Sequence, residues 1–216
     1  NAWVNNALLD NTSLAVYGGD LRGNLWRFQL DHTADVARNS VTRLGAVTDP
    51  GGAGQPITTR PELAEVDGHR VVFIGTGRFL GDSDKTDNQR HSIYAIKDTM
   101  LGTTTVHDMT RVAGGIPGFV QQTLAESGTA ERIVGTVNPV SFAADSGWFI
   151  DLPDGGSGDE AAERVNVDPI LQLGTLVVPS NVPSTESCVA GGFGWLNFLD
   201  FRTGGTVQNG LTDTPA

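Results

Sequence analysis

Three stretches of this chain share one layout, and that layout limits what it can fold into. LAVYGGDLRGNLWRFQLD (14–31) reads as a β-rich run, a glycine-rich loop, an aromatic-bearing run and a closing Asp31. RVVFIGTGRFLGDSDKTDNQRHSIYAIKD (70–98) keeps the order: VVFIG, a loop, SIYAI and Asp98. GTLVVPSNVPSTESCVAGGFGWLNFLDFRTGG (174–205) repeats it with TLVV, a loop, and GWLNFLD ending at Asp200. Two units follow an extended run near a proline, PITTRPEL (56–63) and ERVNVDPIL (163–171). Short β-branched and aromatic runs bounded by Gly, Pro, Asn and Asp are strand and turn chemistry.

The units begin near Val16, Val72 and Val177, 56 and then 105 residues apart. The longer interval therefore holds an insertion, which includes GWFIDLP (147–153). Units of several strands must stack to bury their faces, which is the design of propeller blades. The expected fold is all-β, with β-propeller blade units near 1–50, 55–150 and 163–216. Closure takes at least about four blades, so about three blades read as part of a larger propeller. A two-sheet β-sandwich is the alternative. The best helical candidates, VQQTLAE (120–126) and DEAAER (159–164), are both short.

A content of 38% hydrophobic and 18% charged residues supports a globular chain. The 14 basic and 25 acidic residues leave a net charge of −11, which opposes binding to nucleic acid or an anionic membrane. Cys188 is the one cysteine, so it is a structural residue or pairs outside this sequence. No run of 18 apolar residues appears, and NAWVNNALLD has neither the basic start nor the apolar core of a signal peptide.

Several motifs invite chemistry. In GDSDKTDNQ (81–89), Asp82, Asp84, Thr86, Asp87 and Asn88 offer oxygens for calcium. An EF-hand would place Gly at Asp87 and Glu at Ile93, and the loop has neither. Without an ion the same stretch is a hairpin turn closed by Asx hydrogen bonds. A second acidic loop, DLPDGGSGDE (151–160), offers Asp151, Asp154, Asp159 and Glu160, or a plain glycine-rich excursion. GTGRFLG (75–81) departs from a dinucleotide fingerprint at Leu80 and is followed by no helix signal. His32, His69, His91 and His107 lack metal-ligand spacing, and no G-x-S-x-G elbow appears, so the reading is non-enzymatic. Gly19, Gly23, Gly75 and Gly77 read as turn and close-packing positions. Tyr17, Trp26, Phe28, Phe73, Tyr94, Trp148, Phe149, Trp195 and Phe198 read as core between blades.

Taken in order, VYGGDLRGNLWRFQLD, QPITTRPELAE (55–65), VVFIGTGRFLGDSDKTDNQRHSIYAIKD, GWFIDLP with ERV, and CVAGGFGWLNFLDFRTGG (188–205) resemble the C-terminal propeller of the PilY1/PilC family. The resemblance covers nearly the whole chain. It implies a pilus-tip or outer-surface protein of type IV pilus assembly, which supports pilus extension against retraction and carries an adhesive N-terminal region elsewhere. The implied partners are minor pilins or other pilus-tip proteins, upstream blades of the same protein, and host or surface ligands. The family also implies a calcium-holding D-x-D-x-D loop before the strand at Leu14–Tyr17. This sequence departs from it, with NNALLDNTS (5–13) offering only Asn5, Asn6, Asp10 and Asn11. A quinoprotein-dehydrogenase-like propeller and a carbohydrate-binding propeller are the other functional classes that such repeats allow.

Overall fold

The computed structural model describes residues 1–6, 8, 10–30, 40–100, 105–127, 131–154, 161–185 and 191–207. Its strands run in chain order as β1 (Ala2–Asn6), β2 (Asp10–Gly19), β3 (Asn24–Gln29), β4 (Ser40–Ala46), β5 (Glu62–Val66), β6 (His69–Gly75), β7 (Ser92–Asp98), β8 (Phe119–Ser127), β9 (Glu131–Thr136), β10 (Gly147–Asp151), β11 (Ile170–Gln172), β12 (Thr175–Pro183) and β13 (Gly192–Asp200). One 3-10 turn spans Asp82–Thr86, and no α-helix occurs among the described residues. The strands form three sheets, ordered β1-β2-β3-β4, β5-β6-β7-β10-β8-β9 and β11-β12-β13.

Two of the sequence readings change here. VQQTLAE is strand, not helix, because β8 is paired on both sides, to β10 in parallel and to β9. GWFID is not insertion either. It is β10, which pairs antiparallel with β7 and completes the four-stranded run of the central sheet. The added piece is the β8–β9 hairpin, which widens that sheet at its edge.

Successive side chains of a strand point to opposite faces, and the central sheet uses both. Val72 and Ile74 of β6, Tyr94 and Ile96 of β7, and Phe149 of β10 pack on Tyr17, Leu25 and Leu44 of the first sheet. Val71 and Phe73, Ile93 and Ala95, and Trp148 and Ile150 pack the other way, on Leu176, Val178 and Leu199 of the third. That is why VVFIG and SIYAI are continuous apolar runs rather than alternating ones. Each large side chain buried in this way contributes roughly 1.5–3 kcal/mol, so the two interfaces hold the stack together.

The linkers repeat as the strands do. Ile57 donates its N–H to the Asp20 carbonyl at 3.0 Å, and Val165 donates to the Thr76 carbonyl at 2.9 Å. Ile57 lies against Gly19, which ends β2, and Val165 lies against Gly75, which ends β6. A Cβ on Gly19 would stand 2.2 Å from Ile57 Cγ2, and one on Gly75 would stand 2.3 Å from Val165 Cγ1. Glycine is required at both for close approach, as their sequence positions suggest. PITTR and ERVNV are thus latches, and β5 and β11 begin only beyond Pro61 and Pro169.

The β5–β6 and β11–β12 hairpins share one turn. Asp67 and Gly68 have φ of 50° and 78°, and Leu173 and Gly174 have 48° and 80°. Two left-handed residues in a row match the twist of tightly joined strands. β6 and β12 leave these turns and run to the opposite end of the stack. There the loops 20–23 and 76–91 meet the linkers 47–61 and 161–169.

Candidate functional site

The 76–91 loop is the longest described connection at that end, and cationic side chains of the protein itself hold it. Asp84, almost fully buried, accepts the Leu80 N–H at 2.7 Å, the Gly81 N–H at 3.2 Å and Arg78 Nε at 2.8 Å. Burial alone would raise the Asp84 carboxyl. The Leu80 amide and the Arg78 guanidinium outweigh it and keep the group below the usual carboxylate range. Arg164, from the ERV latch, is completely buried. Its Nη1 donates to the carbonyls of Asp84 and Arg78, its Nη2 to the Asp87 carbonyl at 2.8 Å, and Nε and Nη2 both reach Ala162. Backbone oxygens of one loop therefore converge on a guanidinium.

The candidate calcium ligands are dispersed by this arrangement. Asp82 is 94% exposed and pairs with Lys85 at 2.9 Å. Asp87 turns its Oδ1 to the Gln89 N–H at 3.0 Å, with Oδ2 3.8 Å from Arg78. Thr86 closes the 3-10 turn, and Asn88 is exposed beyond it. Among the described residues, no group of three or more His, Cys, Asp or Glu is placed to hold a metal ion. In the N-terminal stretch, Asn6 and Asp10 face each other in the β1–β2 register, and the side chains of Asn5, Asn6, Asp10 and Asn11 lie outside the described residues. So do Cys188, Asp159, Glu160, His32 and Asp31.

Cross-bonds make this end one piece. Gln89 Nε2 donates to Asp49 Oδ2 and to the Gly54 carbonyl, both at 3.0 Å. Gln55 Nε2 donates to the Arg90 carbonyl at 2.7 Å, and Arg90 reaches Asp154. His91 stands behind them, buried, and neither ring nitrogen has a hydrogen-bond partner in the protein. Burial and the neighbouring Arg164 push its pKa down to about 4.

Between sheets the polar groups are paired as well. Asp98 accepts from Tyr17 Oη at 2.7 Å and from Arg27. Arg111 joins Asp151 at 2.6 Å and Tyr94 Oη at 3.1 Å. Arg132 grips Glu163 with two bonds, at 2.6 and 2.8 Å, and Ser180 adds a third to that carboxylate. Arg27 of β3 and Asp98 of β7 thus join the first sheet to the central one, while Arg111 ties its own segment to β10 and Arg132 of β9 holds the linker that carries Glu163. A cleft of about 700 Å³ runs between β4 and the segment 105–111. It is lined by Arg43, Thr48, Gly51, Thr105 and Asp108 among others.

The aromatic residues divide by position. Tyr17, Phe73, Tyr94, Trp148 and Phe149 are buried between sheets. Trp26 and Trp195 are half-buried, while Phe28 and Phe198 are exposed. The physical reason is that Phe28 and Phe198 belong to the outer faces of the end sheets. On the first sheet Val16, Phe28 and Val41 form a cross-strand row, with Phe28 and Val41 exposed. On the third, Ile170, Val177 and Phe198 form a second row, next to the pair Pro179 and Leu196. Inner and outer faces of the end sheets are both apolar, as in a blade that expects a neighbour on each side.

Comparison with known proteins agrees with this architecture. The PilY1 beta-propeller domain matches residues 3–133. A type IV pilus biogenesis factor PilY1 homolog of Xylella fastidiosa is 30% identical over 203 residues, covering 89% of this chain and 13% of that protein. Type IV pilus biogenesis factor PilY1 of Pseudomonas aeruginosa is 28% identical over 242 residues, covering 93% of this chain and 20% of its own length. The chain thus spans a fifth or less of these relatives. The crystal structure of the Pseudomonas aeruginosa PilY1 C-terminal domain superposes with a TM-score of 0.73 at 24% identity, over 96% of this chain and 48% of that one. That likeness shows the fold, and the three sheets are part of a β-propeller. With a family match over more than half of its residues, the chain belongs to the PilY1 beta-propeller domain family.

Proposed function

We propose that this chain serves type IV pilus biogenesis as a non-enzymatic, protein-binding propeller scaffold at the pilus tip or outer cell surface. The observation that carries the reading is the pair of apolar outer faces on the first and third sheets, in a chain of the PilY1 family. Those faces take neighbouring sheets of the same propeller, and the loops are left to contact pilus components. The test uses Leu196→Ser. In the full-length protein the loss of a buried leucine is expected to cost about 1.5 kcal/mol and to reduce piliation. In the isolated chain, where Leu196 is exposed, it is expected to be neutral. Equal stability of wild type and variant in the full-length protein, with normal pili, would overturn the proposal.

The 81–89 loop enters this proposal as a structure closed by Arg78 and Arg164, not one that depends on calcium. Calcium at about 5 mM, above the range of weak extracellular sites, is therefore expected to leave the melting temperature unchanged. A calcium-specific rise that disappears in Asp84→Asn would return an ion to Asp82, Asp84, Thr86, Asp87 and Asn88.

A further inference from the structure

We infer that the stretch 208–213 of this chain completes the third sheet as its fourth strand, seated in a groove between β13 and the β8–β9 hairpin. The first sheet and the inner part of the central one are runs of four, β1-β2-β3-β4 and β5-β6-β7-β10, whereas the third stops at β13 among the described residues. A bare strand edge is a template for another strand. This edge is already engaged at one end. The Asp200 N–H donates to the Gly205 carbonyl at 2.9 Å, and Leu199 pairs antiparallel with Thr206 as an isolated bridge. The chain has therefore turned back along β13 before it leaves the described residues after Val207.

The turn that aims it is pinned to the central sheet. Gln122 Nε2 donates to the Thr203 carbonyl at 2.7 Å, and Trp148 Nε1 donates to the Phe201 carbonyl at 3.2 Å. Gly204 has φ of 67°, and a Cβ there would stand 2.6 Å from the Trp148 ring. The path then enters a groove of about 230 Å³, lined by Leu124 and Val134 of the hairpin and by Asn197 and Leu199 of β13. Thr206 and Val207 line it as well. Continuing the Leu199–Thr206 register sets Val207 against Phe198, Asn209 against Leu196 and Leu211 against Gly194. Val207 thereby extends the apolar row of Ile170, Val177 and Phe198. On the other face Gly210, without a side chain, meets the half-buried Trp195. Asp213 falls opposite Gly192, the first residue of β13, so the length suffices to cover the edge.

Alternate residues of an antiparallel pair exchange hydrogen bonds. Counting from the Asp200–Gly205 bond, the amides of Leu196 and Phe198 point to the added strand. The Asn209 N–H points back at β13, and that of Gln208 points away. Hydrogen exchange of the full-length protein, read at single amides by mass spectrometry with electron-transfer fragmentation, tests this. The Leu196 and Phe198 amides are expected to exchange at least about 100-fold more slowly than in an unfolded peptide. Asn209→Pro is expected to speed exchange at Leu196 at least about ten-fold, with the β6 amides unchanged as the sign of an intact fold. Gln208→Pro, which loses an outward N–H, is expected to leave Leu196 as in wild type. Unfolded-peptide rates at both amides in wild type overturn the inference, because the edge is then open. Slow exchange that Asn209→Pro does not alter also overturns it. Protection that fades on dilution then assigns the edge to a second copy, and protection that does not assigns it to another strand of the longer protein. Equal acceleration by both prolines overturns the register and the strand with it. Each of these results leaves the scaffold reading standing.

Discussion

Arg164→Met is expected to destabilise the protein by about 4 kcal/mol. Methionine fills similar volume, so the change removes donors and charge rather than packing. The side chain is completely buried, and four backbone carbonyls, those of Arg78, Asp84, Asp87 and Ala162, depend on its guanidinium. Leaving buried acceptors unpaired costs roughly 1–3 kcal/mol each, and partial relaxation of the loop toward water limits the total. Burial lowers the pKa of Arg164, but arginine starts so high that the group stays charged. Arg164→Lys keeps the charge but offers a compact ammonium instead of a planar fork, so it is expected to recover less than half of the loss. Urea unfolding at pH 7 measures both. A loss under about 1 kcal/mol for the methionine variant would mean that the loop finds other donors and that Arg164 is not its centre.

The same residue marks the limit of what the sequence made legible. The blade pattern was readable because strand chemistry and spacing recur: VVFIG and SIYAI form β6 and β7, TLVV and GWLNFLD lie in β12 and β13, and Gly19 and Gly75 sit where a side chain cannot. Burial on both faces hid the position of GWFID, since a continuous apolar run gives no face to count. The β8–β9 hairpin was hidden for the opposite reason, because VQQTLAE has polar residues at helical as well as strand spacing. At the candidate site the acids were visible and their partners were not. Asp82, Asp84 and Asp87 stand together in the sequence, whereas Arg164 approaches from about 80 residues away. The available signal was an arginine inside the ERVNV latch, next to the close-packed Val165, where a solvated cation would have no reason to be. Similarly, Arg27 shares the inward face of β3 with Leu25, and its ion-pair partner, Asp98, is distant in the sequence.

Acidification exposes the second consequence of that packing. His91 is buried beside Arg164, with Arg78, Asp87 and Asp49 also acting on it, and its pKa is pushed down to about 4 from the ordinary 6.5. The imidazole is neutral in the fold at pH 7. Between pH 6.5 and 4 the unfolded chain has taken up its proton while the folded one has not. The unfolded state then binds more protons, so stability is complete above pH 6.5 and falls as the pH drops through that window. The expected loss from this one residue is about 2 kcal/mol at pH 5 and about 3 kcal/mol near pH 4. Asp84 and Asp20, both held below the usual carboxylate range, add their own losses only at lower pH. His91→Phe has no proton to take up and keeps a planar ring, so its unfolding free energy is expected to change about 2 kcal/mol less than wild type between pH 7 and pH 5. Paired urea titrations at the two pH values give the comparison. Identical pH dependence in variant and wild type would show that the imidazole finds a hydrogen-bond partner on protonation, and that this end of the stack opens to admit one.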